Sequence, residues 1–279
     1  MLIAQISDPH IRPRGQLYQG LVDSNAMFAA AIRHLNRLAP RPDVVLLTGD
    51  VTDDGTPEAY AMARDMLDAL AMPLLAIPGN HDERAAFRRC FSGMEALGAG
   101  DGSGAGGVGG RPMDAPLHLV ADGFGPVRII GLDVTVPGRH HGDIDDAAAA
   151  WLTRTLAADP ARPTLIMIHH PPFDSGIPYI DAYHCRRGDR LAAIVAGYPS
   201  VERITCGHIH RAMQLRFGGT LLCTAPSTTT AIALRLDPAA EAASYVEPPA
   251  MLLHQWRPDT GLISHVLPIG DFPGPMPFA

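Results

Sequence analysis

Five apolar runs in this chain stop on side chains of the types that can ligate metal ions. LIAQIS leads into Asp8 and His10, VVLLTG into Asp50, LLAIPG into Asn80, His81 and Asp82, LIMI into His169 and His170, and RITCG into His208 and His210. On an extended chain residues i and i+2 share a face, so the first and last pairs each converge on one point. One such pair alone reads as a capping aspartate beside a surface histidine. Five are a pattern, since an ordinary strand ends on Gly, Pro, Asn or Ser. Asp8, His10, Asp50, Asn80, His169, His208 and His210 make seven donors. That is too many for one tetrahedral ion and suits two divalent ions sharing a carboxylate. Hard oxygens mixed with imidazoles favour Fe, Mn, Zn or Co over copper or a cysteine-type structural zinc. Two such ions, ~3.5–4 Å apart, clamp the attacking and leaving oxygens of a phosphoryl displacement.

Positioning these groups requires strands that end together. Residues 2–6, the DVVLLTGD run and the PLLAIPGNHD run read as buried strands, followed by strands at 117–121, 127–132, 164–168 and 201–206. Helices alternate with them. Asp23 caps one whose apolar face carries Met27, Ala31, Leu35 and Leu38, and Thr56 with Pro57 starts another bearing Ala59, Ala63, Met66 and Leu70. Further helical patterns cover 145–156 and 187–196. After His210 short strands at 213–217, 220–223, 251–256 and 262–267 replace helices. The expectation is an α/β core with open sheets carrying ligands at their strand ends, followed by a β-rich portion.

Composition narrows the chemistry. All 22 basic residues are arginine, which excludes a Walker A phosphate loop and any Schiff-base lysine. The net charge of −7 argues against a groove for a nucleic-acid polymer. No run approaches the length of a membrane span. The N-terminus lacks a basic n-region and Asp8 interrupts its apolar run, so a cytoplasmic location is expected. Cys90, Cys185, Cys206 and Cys223 form no CxxC pair and read as small buried thiols. The glycine-rich stretch 96–110 follows no strand and reads as a flexible insertion. The aromatics of the tail IGDFPGPMPFA are expected to pack against the body or a neighbouring subunit.

Asp8-x-His10, Gly49-Asp50, Gly79-Asn80-His81-Asp82, His169-His170-Pro171-Pro172 and Gly207-His208-Ile209-His210 resemble, in order, the five blocks of the calcineurin-like metallophosphoesterases. The stretches LYQGLVDSNA, TVPGRHHG and HHPPFDSGIPYID look most like the branch of class III cyclic-nucleotide phosphodiesterases and glycerophosphodiester phosphodiesterase. The resemblance implies a single domain over 1–279 with a four-layer α/β/β/α sandwich. It also implies a small C-terminal β-rich extension, with 213–279 capping the site or joining subunits into a homo-oligomer. One ion would be held by Asp8, His10, Asp50 and His210, the other by Asp50, Asn80, His169 and His208, with Asp50 bridging. A hydroxide between them would attack a small phosphodiester, and His81 would assist the leaving alkoxide. A glycerophosphodiester phosphodiesterase is the alternative. A DNA nuclease and a non-enzymatic scaffold of the same fold are more distant, because the balance is acidic and every block is intact.

Other residues follow from position. Ser/Thr protein phosphatases carry an arginine at the place of Asp54, and an acid there suits a monoanionic diester better than a dianionic monoester. Tyr18 and Arg12, just past the first ligands, are candidate substrate contacts, as are His140 and His141 in PGRHHG. By strand alternation His170 turns to the opposite face and reads as packing, while Asp82 orients its neighbours. His34, His118, His254 and His265 fit no block and read as surface or core. The stretch 225–236, APSTTTAIALRL, is expected to face the pocket. It lacks the histidine- and aromatic-rich character of glycerophosphodiesterases there, which predicts a broad diesterase with weaker activity on glycerophosphodiesters.

Overall fold

Alternation within each buried strand decides which layer its side chains join. The structure, a computed structural model, describes residues 1–92 and 112–277, so the glycine-rich stretch 96–110 lies outside the described residues. The first part of the chain runs β1 (Leu2–Ile6), α1 (Ser24–Arg37), β2 (Val44–Thr48), α2 (Pro57–Leu67), β3 (Leu74–Ile77) and α3 (Arg84–Cys90). Next come β4 (Leu119–Ala121), β5 (Arg128–Gly131), β6 (Gly142–Asp143), α4 (Asp146–Ala158), β7 (Thr164–Met167), α5 (Pro178–Asp181), β8 (Cys185–Arg186), α6 (Gly188–Ala196) and β9 (Val201–Cys206). Strands alone follow: β10 (Met213–Phe217), β11 (Thr220–Thr224), β12 (Ala231–Ile232), β13 (Ser244–Tyr245), β14 (Ala250–Arg257) and β15 (Gly261–Pro268).

One sheet has the order β15-β14-β1-β2-β3 and the other β10-β11-β9-β7-β5-β4. In β2, Val45 and Leu47 pack beneath α1 and α2, while Val44 and Leu46 face the other sheet. In β7, Ile166 packs with Trp151 of α4 and Leu191 of α6, while Leu165 and Met167 face back. Period-two alternation between two apolar layers is what a strand covered on both faces requires. The layers are therefore helix, sheet, sheet, helix. Helix starts fall where the caps predict: Asp23 accepts from Ala26 N and Thr56 from Ala59 N, with Pro57 in the first turn.

Two findings go beyond the sequence reading. Helices α3 and α5 were not expected, because seven and four residues are too few to show a helical stripe, yet Phe87 of α3 is fully buried. Apart from β12 and β13, which pair only with each other, the strands from residue 213 on are shared between the sheets: β14 and β15 extend the first beside β1, and β10 and β11 edge the second. In the tail, Ile269 is buried but Phe272 is 60% exposed, so that aromatic does not pack on the body. Among the described residues no helix is long and apolar enough to cross a membrane.

The layer between the sheets carries a polar seam. Gln5 Nε2 donates to Thr48 Oγ1 (2.9 Å) and to the Cys206 carbonyl (3.1 Å), and Gln5 Oε1 accepts from Thr205 Oγ1 and His254 Nε2 (3.1 Å). Since the amide oxygen only accepts, His254 carries its proton on Nε2 and accepts at Nδ1 from Ser264 Oγ (2.7 Å). Burial, with Arg203 nearby, lowers the His254 pKa to about 3, so it stays neutral.

Candidate metal centre

Strands β1, β2 and β3 run parallel, as do β5, β7 and β9, so the loops that follow them leave each sheet at one edge. At that edge the sheets meet. His10 Nε2 lies 3.1 Å from His210 Nε2 and 3.7 Å from Asp50 Oδ2, and His210 Nε2 lies 3.5 Å from Asp8 Oδ1. His169 Nε2 lies 3.3 Å from Asp50 Oδ2, and the His169 and His208 rings are 5.2 Å apart, edge to face. Asp8 is anchored by the His208 amide (3.0 Å) and Asp50 by the His81 amide (3.0 Å).

The backbone bends sharply to do this. Asp8, His10, Asp50, His208 and His210 have φ of 54°, 44°, 48°, 70° and 55°, a left-handed region that non-glycine residues seldom enter and that collects at functional sites. Close approach completes the junction. A Cβ on Gly49 would lie 2.3 Å from His169 Nδ1, and one on Gly207 would lie 2.2 Å from Ser7 Oγ and 2.8 Å from the Thr48 carbonyl.

Backbone carbonyls set the tautomers. His169 Nδ1 donates to Thr48 O (2.7 Å) and His210 Nδ1 to Thr230 O (2.9 Å), so both rings aim Nε2 inward. Burial lowers His169, but the Asp50 carboxylate raises it further, to about 9. For His210 burial prevails over Asp8 and gives about 4, and burial with its neighbouring histidines takes His208 well below the usual imidazole range. His169 Nε2, His208 Nε2 and Asn80 Oδ1 are buried without a hydrogen-bond partner. Two imidazole nitrogens 3.1 Å apart, and three orphaned donors beside carboxylates, call for cations. The residues fit divalent metal.

Around this cluster Asp82 accepts from the amides of Val51 (3.0 Å), Thr52 (3.2 Å) and Gly79 (2.9 Å) and from Tyr60 Oη (2.8 Å). It ties the loops after β2 and β3 together, as the sequence reading held. Asp53 is the residue that reading missed. Its carboxylate lies 3.4 Å from His10 Nδ1 and 2.8 Å from Arg12 Nη1, and its carbonyl accepts from His81 Nδ1 at 2.7 Å. The signal was there in GDVTDDG, where the third residue past Asp50 is an acid.

The cluster opens on a cleft of about 360 Å³ whose lining includes His10, Asp50, Asn80, His81, His208 and His210. Asp8 and His169 are fully buried behind it. Tyr18 and His140 line the cleft, and Tyr18 stacks on His10 at 4.8 Å. Arg12 and His141 do not line it. Arg12 is spent on Asp53, Asp54 (3.0 Å) and Gln16 (2.8 Å). Asp54 is thereby paired and lines a neighbouring hollow, so it offers no direct repulsion to a dianion. His170 does not turn away: its ring lies 4.6 Å from that of His208 and its Nε2 donates to the His140 carbonyl (3.1 Å). The strand ends at Met167, and alternation no longer holds beyond it. In the stretch 225–236, Ser227 and Thr229 hydroxyls donate to the carbonyls of Asp8 and Pro9 (2.9 Å each). They brace the first ligand loop, and only Thr230 and Ile232 of that stretch reach the cleft.

Comparison with known proteins agrees with this geometry. A protein of Arcobacter nitrofigilis described as a probable glycerophosphodiester phosphodiesterase is 35% identical over 279 residues, 100% of this chain and 97% of that protein. An Escherichia coli K12 protein described as a 3′,5′-cyclic adenosine monophosphate phosphodiesterase is 28% identical over 228 residues, 81% of this chain and 75% of the other. The solved structure of a dimetal phosphatase from Danio rerio shares the fold, with a TM-score of 0.63 at 16% identity over 97% of this chain and 99% of that one. A family model described as calcineurin-like phosphoesterase matches residues 1–212. That match takes in every strand end that carries a ligand, and the chain belongs to the calcineurin-like phosphoesterase family.

Proposed function

We propose that this protein is a metal-dependent phosphodiesterase that hydrolyses small diesters, among them cyclic nucleotides and aryl diesters, at a centre of two divalent ions (Fe, Mn, Zn or Co). The observation that carries the reading is the set of buried, unpartnered donors, His169 Nε2, His208 Nε2 and Asn80 Oδ1, beside Asp50. We assign Asp8, His10, Asp50 and His210 to one ion and Asp50, Asn80, His169 and His208 to the other. Divalent ions there would supply the Lewis acidity that polarises a phosphoryl oxygen and acidifies water.

The chain's own groups do the rest. The amides of His208 and His81 hold the two carboxylates in place. His81 spends Nδ1–H on the Asp53 carbonyl, which leaves Nε2 for the cleft; as an imidazolium it would give its Nε2 proton to the departing alkoxide and return to the neutral ring. Among the described residues no arginine lines the cleft, so the second charge of a monoester finds no guanidinium. A diester, with one charge, loses nothing by this. The exposed Leu234, Leu236, Tyr245 and Val246 support a homo-oligomer, which a sedimentation mass of one chain would remove.

The relative that matches along the whole chain favours a second reading, a glycerophosphodiester phosphodiesterase. A panel of 3′,5′-cyclic AMP, bis(p-nitrophenyl) phosphate, glycerophosphoethanolamine and p-nitrophenyl phosphate, ranked by kcat/KM with Mn²⁺, separates them. Cyclic and aryl diesters are expected first and the monoester last. Glycerophosphoethanolamine in first place would select the second reading, and a preference for the monoester would overturn both.

A further inference from the structure

Building on the phosphodiesterase reading, we infer that the outer half of the cleft is a subsite for a flat, uncharged ring of the substrate, a nucleobase or aryl group, formed by His140 and Tyr183. Aromatic rings lead from the metal ligands to the rim without a break. His10 meets His81 edge-on at 4.8 Å, His81 meets His140 at 6.4 Å, and His140 meets Tyr183 at 5.5 Å. A diester with its phosphorus at the ions and its leaving oxygen at His81 lays that alcohol along His140 toward Tyr183. Both rings are exposed to receive it, Tyr183 at 40%.

The wall beside them is built in advance. Tyr179 Oη donates to the Ala243 carbonyl (2.8 Å), which pins α5 to the strand pair β12–β13. Beneath it Ile177, Ile180 and Ile209 form a buried cluster. The Asp181 carboxylate accepts from Ser175 N and Oγ (2.6 Å each) and Gly176 N (2.9 Å), fixing the loop that leads into α5. The His140 backbone is held by His170. A site held this firmly gives up little entropy on binding.

Charge decides the class of group. The outer lining of His140, Tyr179, Ile180, Tyr183 and Ile232 contains neither arginine nor carboxylate. The nearby cations are engaged, Arg12 with Asp53 and Asp54 and Arg211 with Glu247 (2.8 Å). A second phosphate therefore finds no guanidinium and an ammonium headgroup no carboxylate, whereas a neutral ring finds π faces on which to stack. A cleft of about 360 Å³ lies at the small end of ligand sites, in keeping with one ring.

The test uses the Mn²⁺-loaded full chain with Tyr183→Ala, His140→Ala and Tyr183→Phe. For each, kcat/KM is measured on two ring-bearing diesters, 3′,5′-cyclic AMP and bis(p-nitrophenyl) phosphate, and on two ring-free ones, glycerophosphoethanolamine and glycerophosphocholine. The alanine variants are expected to lower the ratio of ring-bearing to ring-free kcat/KM by roughly tenfold, mainly through KM, as the loss of one stacking partner does. Tyr183→Phe is expected to keep the ratio. An unchanged thermal midpoint separates this loss from misfolding. A ratio that stays within twofold of the parent's overturns the inference, and so does a loss greatest on glycerophosphocholine, which would mark a cage for a cation. Failure of the parent protein to hydrolyse any diester would instead overturn the phosphodiesterase reading itself.

Discussion

The two sheets bring different chemistry to their common edge. The first supplies oxygen, from Asp8, Asp50 and Asn80, with one imidazole, His10. The second supplies imidazoles alone, His169, His208 and His210. Negative charge thus comes from one side and imidazole nitrogen from the other, and neither edge gathers the whole cluster by itself. Protonation divides the second sheet itself: His169, nearest Asp50, is raised, while His208 and His210, where burial dominates, are lowered. The difference teaches that the site depends on how the sheets dock, and the docking is specified at Gly49, Gly207 and the Gln5 seam.

The strongest way to break this division is Asp50→Ala, because that carboxylate faces imidazoles from both sheets. Diester hydrolysis is expected to fall by about 10³-fold or more, beyond the ~10–100-fold that outer partners cost, with metal content by elemental analysis falling too. A variant that kept its metal and its rate would end the idea of a shared carboxylate. Asp82→Asn perturbs only the first sheet's loops. Metal affinity is expected to weaken ~10–100-fold, with excess Mn²⁺ restoring most of the rate; no recovery would mean that Asp82 serves the chemistry directly.

Gly207→Ala wedges the sheet edges apart, with its Cβ against Ser7 Oγ and the Thr48 carbonyl. It is expected to cost ~1–3 kcal/mol of stability, and adding Ser7→Ala recovers part of that. Chemical denaturation of the single and double variants checks both claims, and additive losses would show that the two residues do not meet. His254, in the seam, gives the smallest effect. Its folded pKa of about 3 lies below the unfolded value of ~6.5. Between those values the unfolded chain holds a proton that the folded chain lacks, so stability falls as pH falls. Between pH 7 and 6 His254 contributes about 0.7 kcal/mol of that decline, and His254→Asn is expected to flatten the slope by that amount. An unchanged slope would place the titration elsewhere.

The candidate ligands were legible because each sits where an apolar run ends, and runs of Val, Leu and Ile announce buried strands without help from distant residues. That His10 and His210 meet at 3.1 Å was not legible, since it follows from sheet docking. The same reason hides the outer cleft: His140, Tyr179, Tyr183 and Ala243 come from segments with no shared periodicity. His170 was misjudged because alternation was carried past the last residue of β7. Arg12 and Asp54, read singly as a substrate contact and an acid that favours diesters, are a pair. Sequence shows the type of a charged residue and seldom its partner.

Five of the seven proposed ligands occupy a left-handed backbone, at roughly 1–2 kcal/mol each. Glycine at any of these positions would relax the chain, so the gradient of folding stability runs against the catalytic set. A lineage released from the need to hydrolyse anything would drift down that gradient and lose its ligands one by one. Here all seven residues are present, five of them in a conformation the fold disfavours.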